Sequence, residues 1–138
     1  MNVGVHIWAV VLAVVSAMVI GSIWYAPKVL GDTWMRLGNI KGDGSSIAKP
    51  IAITLVSCIV TAYLLAKAIG VEHAFNNASF MGEALATSFW LWLGFSAMRF
   101  VTHYTFESRP YGFWLINIGN DFVTIMVMGL IIGAFGAA

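Results

Sequence analysis

Apolar residues run almost unbroken through four stretches of the chain, about Val3–Ala26, Ile47–Gly70, Phe80–Tyr104 and Pro110–Gly136. Each reaches the roughly 20 residues a helix needs to cross hydrocarbon. The pattern predicts an all-α integral membrane protein. Residues 1–138 form one domain with four transmembrane helices. Within these runs small residues recur every four positions: Ala9, Ala13, Ala17 and Gly21, then Cys58, Ala62, Ala66 and Gly70, then Gly129, Gly133 and Ala137. In lipid such stripes let helix backbones approach closely, because packing rather than hydrophobicity drives association there. Three stripes are more than one compact bundle needs. A homo-oligomer is therefore expected, with at least one stripe at the subunit contact.

The polar positions punctuate the runs. Pro27 stops the first helix, and Ala26 before it is biased away from helical angles. Lys28–Leu37 predicts a short interfacial helix. Val29, Leu30, Trp34 and Leu37 would face lipid, with Lys28, Asp32 and Arg36 on the wet face. Gly38 ends it. Ser45 or Ser46 is placed to cap the second long helix, and Pro50 falls in its first turn. Thr54, Ser57 and Thr61 are available for hydrogen bonds between helices.

Composition agrees with a chain solvated by the lipid bilayer. It is 60% hydrophobic and 9% charged, against roughly 25% charged in soluble domains. A net charge of +1 with no basic run argues against a nucleic-acid partner. The single cysteine, Cys58, excludes an internal disulfide and reads as a small packing residue. No Lys or Arg precedes the first apolar run, which ends in aromatics and Pro rather than a small-x-small site. It reads as a retained helix, not a cleaved signal. Lys28, Arg36, Lys41 and Lys49 cluster at one end of the helices with Arg99 and Arg109, while the other end has only Lys67. By the positive-inside rule the protein is a multi-pass cell-membrane protein with the first and third loops cytoplasmic and both termini outside.

Three groups of residues invite chemistry. The first is Arg99, Asn117 and Asp121. Counting about 1.5 Å per residue puts Asp121 roughly 15 Å into the membrane, with Arg99 less deep. An intramembrane carboxylate costs about 2.5–3.5 kcal/mol unless paired or wetted, so Arg99 is expected to reach toward Asp121, directly or through Asn117 or water. Such a cluster is either a polar path for protons, ions or a small solute, or an inert ion pair that fixes register. The second group is a belt at the basic end: Lys28, Asp32, Arg36, His103, Glu107 and Arg109. It would join the first loop to the Phe106–Pro110 turn through Lys28 or Arg36 and Glu107. It would either anchor topology, hold anionic lipid headgroups or gate a pore. The third is His6, Glu72, His73 and Glu83 at the other end. It lacks the spacing of a helical metal site, so no metal is expected, and His6 is taken to pair with Glu83. No nucleophile, P-loop or dinucleotide motif is present, so neither a catalytic site nor a cofactor is expected.

The stretch Gly21-Ser-Ile-Trp-Tyr-Ala-Pro-Lys-Val-Leu-Gly-Asp-Thr-Trp-Met35 resembles the G-x-x-W-Y-x-P-x-x-F-G-x-x-W-M pattern of the DUF 1761 family of small four-helix membrane proteins. Phe106-Glu-Ser-Arg-Pro110, Trp114-Leu-Ile-Asn117 and Met128-Gly129 follow in the order the resemblance implies. Trp24, Tyr25, Pro27, Gly31, Trp34, Glu107, Arg109 and Asn117 match the family pattern. The resemblance implies Tyr-His where this chain carries Asn120-Asp121, which sets Asp121 apart from the family. It implies the fold and no function.

Three functions fit the sequence. The first is a small oligomeric transporter or channel using Arg99, Asn117 and Asp121. The second is a non-catalytic scaffold, accessory subunit or lipid-binding protein using the Trp24–Trp34 and Phe106–Pro110 surfaces. The third, with least support, is a lipid-modifying enzyme using Glu107 or His103.

Overall fold

The computed structural model describes residues 3–42 and 44–138. Its helices are α1 (Ile7–Trp24), α2 (Asp32–Leu37), α3 (Ala48–Asn76), α4 (Phe80–Leu91), α5 (Met98–Phe106) and α6 (Tyr111–Phe135). A π-helical turn, Pro27–Gly31, precedes α2, and a second π-helical stretch, Trp92–Ala97, joins α4 to α5. With that stretch, Phe80–Phe106 is one continuous rod. Among the described residues four helices are long and apolar enough to cross a membrane: α1, α3, this rod and α6.

The ends follow local chemistry. Ser46 Oγ accepts from Ala48 N at 3.2 Å at the start of α3. That helix runs beyond the expected Gly70 to Asn76 and stops where Asn77 takes a left-handed φ of 52°. Ser79 Oγ accepts from Gly82 N at 3.1 Å and caps α4.

The core lies in the half of the bundle nearest the termini. Ala9, Ala13 and Ala17 of α1 meet Ala62, Leu65, Ala66 and Ile69 of α3, Ala84 of α4, and Met128 and Ile132 of α6. The small-residue stripes explain how closely these helices approach. A Cβ at Gly129 would land on Ser88 Oγ, and one at Gly133 would crowd Met81 and Ala84. Most stripe residues therefore pack against neighbours inside the chain, while nothing lies within 4 Å of a Cβ at Gly21.

The other half is built differently. Residues 48–61 of α3 are exposed apart from the half-buried Cys58. The packed face of this helix begins at Ala62. Thr54 Oγ1 and Ser57 Oγ donate within α3, to Pro50 O at 2.8 Å and Ile53 O at 2.9 Å. Among the described residues neither bonds another helix.

At the basic end, α2 folds back under the bundle. A Cβ at Gly31 would overlap the Tyr25 carbonyl, so the turn closes only with glycine there. Lys28, Asp32 and Arg36 are exposed, as expected. Trp34 does not face lipid. It sits between Tyr25 (centroids 5.3 Å apart, edge-on) and Phe113 (6.0 Å, stacked). The corner meets the Phe106–Pro110 turn, though not through Lys28 or Arg36. Glu107 Oε2 is taken by Arg109 Nε at 3.2 Å, and Arg109 Nη1 donates to Gly38 O at 2.6 Å. Exposed lysine and arginine side chains hold no fixed partner when an arginine fork beside the carboxylate already satisfies it. Arg109→Ala should lower stability by about 1.5–3 kcal/mol, the scale of a hydrogen bond to a charged group. Reversible unfolding in mixed micelles measures this, and Arg109→Lys should recover only part of the loss.

Candidate functional site

Because α3 stands off over its first half, a cleft opens between it and α1, the Phe80–Phe106 rod and α6. Its volume is about 1200 Å³, somewhat above the roughly 300–1,000 Å³ typical of small-molecule sites. Apolar side chains, including Met18, Ile51, Phe95, Phe100 and Ile125, form most of the wall. The polar residues lining it include Ser96, Arg99, His103, Asn120, Asp121 and Thr124. Beyond Met128 and Leu65 the packed core closes it.

The π-helical stretch sets the geometry of the floor. One wide turn in an otherwise regular helix re-aims the side chains that follow, and such turns recur at functional sites. Here Trp92 Nε1 donates to Ile118 O at 3.2 Å, pinning the stretch to α6. Ser96 Oγ then donates to Asp121 Oδ2 at 2.6 Å. Beside them, Asn120 Oδ1 and Thr124 Oγ1 are buried without a hydrogen-bond partner. The floor is thus a group of oxygens about ten residues, or roughly 15 Å, from the basic end of α6.

The expected direct pairing of Arg99 with Asp121 is not formed. Serine at the level of the carboxylate takes it instead, and Arg99 has no ion pair or hydrogen bond among the described residues. Both side chains nevertheless line one cleft. Asn117 is not in that lining. It accepts from Tyr25 Oη at 2.6 Å and donates to Tyr104 Oη at 3.0 Å, tying α1, α5 and α6 together. Trp24 Nε1 reinforces the tie by donating to Ile116 O at 2.9 Å. Asn117 therefore braces three helices next to the cleft, bonded to Tyr25 in its wall.

Of the belt, only His103 turns into the cleft; Glu107 and Arg109 serve the corner. At the other end His6 does not meet Glu83. Its Nε2 lies 3.2 Å from Ala137 O, while Glu83 Oε2 accepts from Asn76 Nδ2 at 3.4 Å. Among the described residues no three His, Cys, Asp or Glu side chains converge as metal ligands.

Sequence reasoning missed Ser96, Asn120 and Thr124. The usable signal was a serine one helix away at the same depth as Asp121, since Ser96 lies about as far from the end of α5 as Asp121 lies from the start of α6.

No curated protein and no solved structure matches the chain. The family model described as "Protein of unknown function (DUF1761)" matches residues 8–133, nearly the whole bundle from α1 to α6, and the chain belongs to that family.

Proposed function

We propose that this multi-pass protein is a non-catalytic membrane carrier that binds a small solute in the cleft above Asp121. The observation that carries the reading is the cleft's shape. It is open over the basic half, polar at mid-span and closed beyond by the alanine-rich core. An open channel would need a second opening, whereas a carrier needs one open side and a site at mid-depth. The helix placed to change access is α3, held by Ala62–Gly70 and free below.

Cys58 lines the cleft and is the only thiol in the chain, so it reports on access without engineering. In proteoliposomes a membrane-impermeant maleimide should label Cys58 from the basic side only. The protein should speed uptake of at least one solute in a panel of labelled amino acids, sugars and amines, and labelling should block that uptake. Equal labelling from both sides, or no accelerated uptake, would sink the carrier.

A second reading has one observation in its favour. Lys28 and Arg36 are exposed and, among the described residues, without partners beside the aromatic corner, which suits anionic lipid headgroups. Loss of binding to phosphatidylglycerol vesicles on changing both residues would support it.

A further inference from the structure

The cleft holds a carboxyl and a guanidinium that do not meet. Asp121 is bonded to Ser96 and has no cationic partner among the described residues. Arg99 lines the same cleft and has no anionic one. In a membrane interior each unpaired charge costs about 2.5–3.5 kcal/mol. A ligand carrying both charges in the complementary order would relieve both at once.

The floor fits a cation with N–H donors. Oxygens dominate it: the Asp121 carboxylate, Ser96 Oγ, whose proton is already committed to Asp121, and behind them Asn120 Oδ1 and Thr124 Oγ1, both buried without a partner. An ammonium has three donors and no acceptor, the complement of such a group. Toward the mouth the chemistry reverses. Arg99 follows Ser96 by three residues, about 4.5 Å along the rod, and His103 lies one turn further on the same wall. An arginine fork suits a carboxylate or phosphate. Between and around these groups the wall is apolar, with Phe95 and Phe100 on the same rod.

We propose that the cleft binds a small zwitterion with an apolar body, its ammonium on the Asp121 floor and its anionic group on Arg99. This rests on the binding role given to the cleft above, and it names the class of solute. A zwitterionic phospholipid carries the same two charges. Seated in its own leaflet, however, it holds the phosphate deeper than the ammonium, the reverse of the order here. The free solute is therefore the occupant.

The test uses the full chain in phosphatidylglycerol nanodiscs and isothermal titration. The probes are phenylalanine and 8-aminooctanoate, which carry their charges close together and far apart. Each is compared with its single-charge analogues: phenethylamine and 3-phenylpropanoate, heptylamine and octanoate. At least one zwitterion should bind ten times more tightly than either of its analogues. Asp121→Asn should weaken the zwitterion and the amine while leaving the carboxylate unchanged. Arg99→Gln should weaken the zwitterion and the carboxylate while leaving the amine unchanged. Thr124→Val, a milder change on the floor, should weaken the amine severalfold and guards against misfolding of the other variants.

Equal affinity for a zwitterion and its analogue, or no binding of either zwitterion, overturns the proposal. Loss of solute binding when phosphatidylethanolamine is added to the nanodiscs would assign the site to lipid and overturn it too. Zwitterion binding without uptake in liposomes removes the carrier and leaves the ligand class standing. Uptake of some other solute without zwitterion preference does the reverse.

Discussion

Proteoliposomes containing Asp121→Asn should take up solute about ten- to hundredfold more slowly than wild type, the equivalent of losing one hydrogen bond to a charged group. The same variant should fold normally. Removing an intramembrane charge relieves about 2.5–3.5 kcal/mol. Weakening the 2.6 Å Ser96–Asp121 bond gives back a comparable amount, about 1.5–3 kcal/mol for a hydrogen bond to a charged group. The two nearly cancel, so stability should stay within about 1 kcal/mol. This near-cancellation separates function from structure. A carboxylate whose only task is to fix helix register would cost stability when neutralised and leave uptake alone. Parallel measurement of uptake and of unfolding in mixed micelles decides between them. Unchanged uptake removes Asp121 from the site.

Gly129→Leu should have the opposite profile. At this position α6 touches α4 so closely that even a Cβ would occupy the space of Ser88 Oγ and press on the Ala84 carbonyl. Ser88 cannot easily withdraw, because its hydroxyl donates to Ala84 O at 2.6 Å in a fully buried setting. Overpacking of this kind costs about 1–3 kcal/mol, and more when backbone must move. The variant should unfold at distinctly lower denaturant, or fail to accumulate. Gly21→Leu is the control. It adds the same side chain to another stripe, but nothing lies within 4 Å of a Cβ there, and the position lines the cleft. Its stability should be close to wild type while ligand binding falls. If the two glycines behave alike, the division into a packed half and an open half is wrong.

The four spans were readable from sequence because length and apolarity alone define them, and the corner at Pro27 because proline ends a helix whatever surrounds it. The stripes at Ala13, Ala62 and Gly129 were correctly read as close-approach surfaces. The periodicity of one helix does not say which helix approaches it, and at these positions it is another helix of the same chain. The depth of Asp121 followed from counting residues. Its partner did not, because depth fixes position along an axis and leaves rotation about it open. Arg99 and Ser96 are three residues apart, and the wide turn at Trp92–Ala97 governs which of them faces the carboxylate. Such a turn depends on contacts with α6, including the Trp92 bond to Ile118 O, and no residue in the stretch announces it. Trp34 misled for a related reason. An aromatic at a boundary suits either lipid or a neighbouring ring, and Phe113, far along the chain, decides.

The helices differ in length in a way that bears on the bilayer itself. α1 has 18 residues and α3 has 29, about 27 Å and 44 Å of helix at 1.5 Å per residue. Hydrocarbon is about 30 Å thick. The shorter helix fits upright, while the longer must incline or project. Two rods of such unequal span, held together only near one face of the membrane, have to splay toward the other. Bilayer thickness thus becomes a determinant of how wide the protein stands open: thinner lipid favours more inclination of α3, and thicker lipid draws it upright toward its neighbours.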